Sequence, residues 1–317
     1  MKSYRNYIHF IVFIIIVMIS FNIDQNPFQN DNQTVFSQIE VVNMKEDPLY
    51  KEIVKRSTSF NEDAKNAYID SVWKKTPGRN GQKVDVVASY KRMKEAGSFI
   101  EELFVYDQIS PKVSLDDLEP APIYRGHPEK KMVSFLINVS WGTEYIPDIL
   151  DTLKKHNVKA TFFIEGKWAK ENVDYVKMIQ EQGHTIGNHA YNHPDMSRLS
   201  HNQVLKQIQD TNEVIHAITG KTPKWFAPPS GSFSDEVVNV AENMNMYTIL
   251  WTVDTIDWKN PTVNVMMNRV MEKIHPGATI LMHPTPSIVK ALPTLITSIK
   301  EQDYKIGTIE KLLSENR

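Results

Sequence analysis

The chain contains no cysteine. That absence excludes disulfide staples, thiolate metal ligands and a cysteine nucleophile together. Excess charge of one sign is missing as well. A net charge of −2 over 317 residues gives no basic face to expect, and nucleic acid is set aside as a partner. No Gly-x-Gly-x-x-Gly or P-loop pattern follows the first strand-like run, so a nucleotide site has no phosphate cradle. Hydrophobic residues at 41% and charged residues at 23% are ordinary values, and the length suits one large or two modest domains.

The one long apolar run lies at the N-terminus. Lys2 and Arg5 precede Ile8 to Ile23, a stretch close to the lower limit of roughly 17 residues for crossing a bilayer. Bulky residues stand where a signal peptidase needs small ones, and the preceding positive charge places the N-terminus inside. Residues 1–23 therefore read as a signal anchor holding the bulk of the chain outside the cytoplasmic membrane. Secretion after signal cleavage is the alternative. Residues 24–47, rich in Asn, Gln and Asp, read as a stalk.

Residues 48–118 mix an amphipathic start with a Pro-Gly-x-Asn-Gly turn at Pro77 to Gly81, and read as a small α+β module. The proline-rich 119–131 stretch reads as a linker or arm. From Met132 onward short apolar runs alternate with amphipathic stretches. Strands are predicted over 132–138, 159–164, 184–188, 225–227, 248–253, 279–282 and 304–307, with helices between them. This alternation predicts a parallel sheet with outer helices, open or closed into a barrel, and chemistry at the carboxyl ends of its strands.

Four loops at those ends carry candidate chemistry. His189 and His193, four apart, have the spacing of paired metal ligands. A stiff loop follows from Phe226 to Phe233 and includes Pro229. Asp254, Asp257 and Trp258 come after the fifth strand, and Leu281 and His283 close the sixth.

These pieces, with Lys154 to Phe163, Gly183 to His193 and His275 to His283 in register, resemble the polysaccharide deacetylase family, also called the NodB-homology family. The resemblance spans 132–317 and is closest to a sporulation-associated, YlxY-type branch. It implies a distorted (β/α) barrel of seven or eight strands, a divalent metal such as zinc, and removal of acetyl groups from wall glycan or chitin-like chains. Position by position, it makes His189 and His193 metal ligands, His283 the general acid, Asp257 and Trp258 the pair that orients it, and Leu281 a wall of the acetate pocket.

The family's Thr-Phe-Asp-Asp-Gly motif falls on Leu136 to Ser140. Asn138 then stands at the base position and Val139 at the metal aspartate, and Ala227 replaces the motif's arginine, followed by Pro228 and Pro229. An amide cannot take a proton from water near neutral pH. Two imidazoles without a carboxylate should hold a metal weakly. Asp195, Asp254 and Glu144 are candidate replacement ligands, and Asp195 also reads as a turn cap. Trp141 and Trp258 offer faces on which sugar rings stack. The expectation is a membrane-anchored envelope protein that binds wall glycan and deacetylates weakly or not at all. The alternatives are an active hydrolase with rearranged ligands and a non-catalytic protein of sporulation or wall assembly. The run Pro77 to Asp85 is also similar, over about ten residues, to modules of peptidoglycan-associated proteins.

Overall fold

The computed structural model describes residues 44–317. The expected signal anchor and nearly all of the stalk lie outside them. Among the described residues no helix is long and apolar enough to cross a membrane. The described chain forms two compact units, 44–61 with 84–106, and 62–83 with 107–317. It crosses between them three times, after Asn61, within β3 (Gly81–Val84) and at the start of β4 (Tyr106–Ile109), and strands β1 (Tyr68–Asp70) and β2 (Lys74–Thr76) belong to the larger unit.

In the smaller unit, helices α1 (Pro48–Ser57) and α2 (Val86–Ala96) pack around Ile53, Val84, Met93 and Phe104. Both helices start on a capping aspartate. Asp47 accepts from the Leu49 N–H at 2.9 Å and Asp85 from the Ala88 N–H at 2.9 Å, each relieving one of the free donors of a first turn.

The larger unit is built on an eight-stranded sheet with every pairing parallel. Its strands are β5 (Met132–Val139), β6 (Thr161–Ile164), β7 (Thr185–Asn188), β8 (Trp225–Phe226), β9 (Tyr247–Thr248), β10 (Val253–Asp254), β11 (Thr279–Met282) and β12 (Lys305–Gly307). Their order is β10-β11-β5-β6-β7-β8-β9, with β12 also paired to β5. The result is an α/β half-barrel of parallel strands.

The central strand β5 is buried along almost its whole length, as a parallel strand covered on both faces must be. Its pleat sorts side chains strictly. Val133, Phe135, Ile137 and Val139 enter the layer under the helices, whereas Leu136 joins an inner cluster with Phe163, Ile249 and Leu312. Burying each of the larger side chains contributes about 2–3 kcal/mol. The outer layer comes from amphipathic helices, among them α3 (Ile146–Lys155), α6 (His201–Thr219), α8 (Val263–Met271) and α9 (Pro286–Glu301). Helix α6 opens on a reciprocal Ser200–Gln203 capping box and closes on Gly220 in the left-handed conformation.

Four sequence expectations are redrawn by packing. Residues 62–83 and 107–118, expected inside the N-terminal module, belong to the larger unit, because Ala67 and Leu115 are buried in its inner cluster. The expected linker 119–131 is an integral arm. Ile123 is fully buried, donates its N–H to the Thr248 carbonyl at 2.8 Å and accepts from the Leu250 N–H at 2.8 Å. That bonding takes over Ile249, so the strand expected over 248–253 becomes β9 and β10 with a break between. The single helix expected between the second and third strands is likewise two, α4 (Gly166–Glu171) and α5 (Val173–Glu181), separated at Asn172, whose side chain donates to the Trp168 carbonyl.

Candidate functional site

The carboxyl ends of β5, β7, β10 and β11 converge on a cavity of about 350 Å³. Asn138, Trp141, His189, His193, Asp254, Trp258, Leu281 and His283 line it, together with Ser140, Ser230 and Trp251. Sequence reasoning had named the first eight of these, spread over nearly 150 residues of chain. Parallel strands bring them together because successive strand ends open on the same side.

Asp257 anchors one wall. It is fully buried, yet both its oxygens are engaged. Oδ2 accepts from the His283 backbone N–H at 2.8 Å and from the Thr285 hydroxyl at 3.1 Å, and Oδ1 accepts from the Thr255 hydroxyl at 3.1 Å. Oδ1 also lies 2.9 Å from His283 Nδ1. A carboxylate can only accept, so Nδ1 carries the proton and Nε2 is left for the cavity. The Trp141 ring stacks on His283, with centroids 5.9 Å apart and an interplanar angle of 10°. Thr285 also caps α9, so the helix start and the buried carboxylate share one hydroxyl.

The two remaining histidines face each other with ring centroids 5.2 Å apart. His189 Nδ1 donates to the Ala227 carbonyl at 2.7 Å, which fixes the ring and directs the Nε2 lone pair away from that bond. Burial, reinforced by His193, pushes His189 down to about 3, and burial also lowers His193. Both are neutral imidazoles at pH 7.

The opposite wall carries no acid. Asn138 is buried to 4% exposure and its Oδ1 has no hydrogen-bond partner. Val139 does not line the cavity; the pleat turns it into the helix-facing core beside Ile137 and Ile164. Ala227 offers only its carbonyl, and Pro229 is buried within a short 3-10 turn, where Ser230 faces the cavity in its stead. Asp195 spends its carboxylate on Ser197, Ser232 and Arg198 at the surface, and Glu144 is exposed; neither lines the cavity. Asp254 does, and its Oδ1 accepts from the Ile256 N–H at 2.8 Å.

Loop strain is concentrated here. Ala190, His193, Ser230 and Ile256 all adopt positive φ, between 51° and 59°, at a cost of order 1–3 kcal/mol each. At Gly142 φ is +73°, and a Cβ there would collide with the Pro284 carbonyl oxygen, so the turn after β5 must be glycine to meet the turn after β11. Sequence reasoning missed Trp251, hidden in an expected strand. Glu165, buried directly after β6, does not line the cavity, and burial raises its carboxyl.

A catalytic zinc takes three protein ligands and a water. Here the donor set stops at two imidazoles, and among the described residues no group of three His, Asp or Glu side chains is placed to hold a metal. The site does not fit a resident catalytic metal.

The family model for polysaccharide deacetylase matches residues 125–249. The uncharacterized protein YlxY of Bacillus subtilis is 47% identical over 315 residues, 99% of each chain. A peptidoglycan-N-acetylglucosamine deacetylase of Bacillus cereus is 33% identical over 199 residues, 61% of this chain and 72% of that one. Among solved structures, a CE4 family pseudoenzyme from Bacillus anthracis superimposes with a TM-score of 0.83 at 54% identity, covering 86% of this chain and 97% of its own. A mutant of that pseudoenzyme with restored enzymatic activity superimposes equally well. With the half-barrel, the cavity at its strand ends and end-to-end identity to a relative all in agreement, the chain belongs to the polysaccharide deacetylase family.

Proposed function

We propose that this protein is an envelope member of the family that binds wall glycan in the cavity and deacetylates it weakly or not at all. One observation supports the reading: Asn138, which the family resemblance puts at the base position, lines the cavity in a wall without a carboxylate. An amide has no proton to exchange near neutral pH, and loss of general base catalysis costs on the order of 10²–10⁴ in rate. Val139 removes a ligand and a charge, and Ala227 removes the arginine that would have paired with the base. The pseudoenzyme relative supports the same conclusion.

The rest of the site would still handle a sugar. Trp141, Trp251 and Trp258 supply stacking faces, and Leu281 supplies an apolar wall. His283, oriented by Asp257, would present Nε2 to a leaving nitrogen. The N-terminal run supports placement outside the membrane on a signal anchor, where wall glycan lies.

The test is deacetylation of chitooligosaccharides by the full chain, followed by mass spectrometry, beside Asn138→Asp/Val139→Asp/Ala227→Arg. The expected result is a trace rate for the natural protein and a higher rate with tighter zinc for the triple variant. Family-typical rates from the natural protein would overturn the reading. A second reading, a working hydrolase with rearranged ligands, draws on Asp254 in the same cavity as the histidines. Stoichiometric zinc in the natural protein, lost with activity in His189→Ala, would favour it.

A further inference from the structure

Three tryptophans, Trp141, Trp251 and Trp258, surround the cavity, and no lysine or arginine lines it. Its one free carboxylate is Asp254, which has no ion-pair partner among the described residues and bonds a single backbone N–H. The other carboxylate of that wall, Asp257, is consumed by His283 and its neighbours. Aromatic faces and a carboxylate are together elements that recognise an ammonium group.

We propose that the cavity selects hexosamine units whose amine is free over units whose amine is acetylated. This rests on the glycan-binding reading above and gives it a chemical preference. A protonated amine gains from the Asp254 carboxylate and from the indole faces. An acetylated nitrogen has no charge for either, and brings a carbonyl oxygen toward oxygen atoms. The Lys259 ammonium lies 4.8 Å from the Trp258 ring centroid, so an incoming sugar must use the other face of that ring. The site would then read glycan from which the acetyl group has been removed, the product class of the catalytic relatives.

Calorimetry of the full chain with a glucosamine tetramer and with an N-acetylglucosamine tetramer tests this, at about pH 6, where an ordinary amine carries its proton. The expected result is roughly tenfold tighter binding of the free-amine tetramer, reduced to within about twofold by Asp254→Asn. Equal binding, or tighter binding of the acetylated tetramer, overturns the preference while leaving glycan binding intact. Binding of neither overturns both readings. A preference that survives in Asp254→Asn, with the far-UV circular dichroism unchanged, overturns the role given to Asp254.

Discussion

The two walls of the cavity treat charge in opposite ways. On the β10–β11 side a fully buried carboxylate is kept, with Asp257 meeting the His283 backbone, the His283 ring and two hydroxyls. On the β5 side no carboxylate lines the cavity, and an amide and an aliphatic stand at the strand's end. The difference teaches which parts of the site are also structural. The Asp257 network ties together a strand end, a turn and the start of α9, so its loss would be felt as stability. A buried carboxylate on the β5 side would lack such partners and be only a cost.

The comparison can be broken first where it predicts most. Asp257→Ala should destabilise the protein by about 3–5 kcal/mol in urea unfolding, because it strands His283 and two buried hydroxyls; a loss below about 1 kcal/mol would show that this wall is no more structural than the other. The next effect is of pH. Burial holds His189 near 3, below its ordinary 6.5, so the unfolded chain takes up a proton that the folded one refuses. Stability is full above pH 6.5 and drains as the pH falls from there toward 3, by about 2 kcal/mol at pH 5 for this histidine alone. The buried His127 and His184, both lowered to about 4, act in the same direction. His189→Asn should flatten the acid limb of a stability profile, and an unchanged limb would refute the assignment.

Returning charge to the emptied wall is the third probe. Asn138→Asp alone should destabilise by about 1–3 kcal/mol at pH 7 and less at pH 5, where the new carboxyl can protonate. Stabilisation at both pH values would mean that a partner for it survives. The smallest stability effect belongs to the cavity mouth. Trp258 is 51% exposed, and Trp258→Ala should change stability by no more than about 0.5 kcal/mol while weakening oligosaccharide binding about tenfold. Intrinsic tryptophan fluorescence during a glycan titration would measure that loss.

The alternation of apolar runs and amphipathic stretches after Met132 was enough to foresee parallel strands and outer helices, because period and length are local properties. The motif register named Asn138, His189, His193, Asp257 and His283 before any of them had a neighbour. The arm defeated local reading. Proline-rich and without period, Leu118 to Lys131 looked like a linker, yet Ile123 bonds into the β9 edge and divides the strand that follows. Trp251 entered the cavity for the same reason, since the break freed its stretch from a regular strand.

The sequence by itself determined that Asn138 and Val139 end the first strand, that Ala227 precedes the paired prolines, and that His189, His193, Asp257 and His283 stand in the later loops. These are facts of composition at fixed positions, and no folding changes them. Only the tertiary structure decided that Val139 turns into the core, that Asp195 is spent at the surface, and that Asp254 faces the cavity between tryptophans. The pleat, the turns at positive φ and long-range packing set side-chain direction, and none of these is encoded in the identity of a single residue.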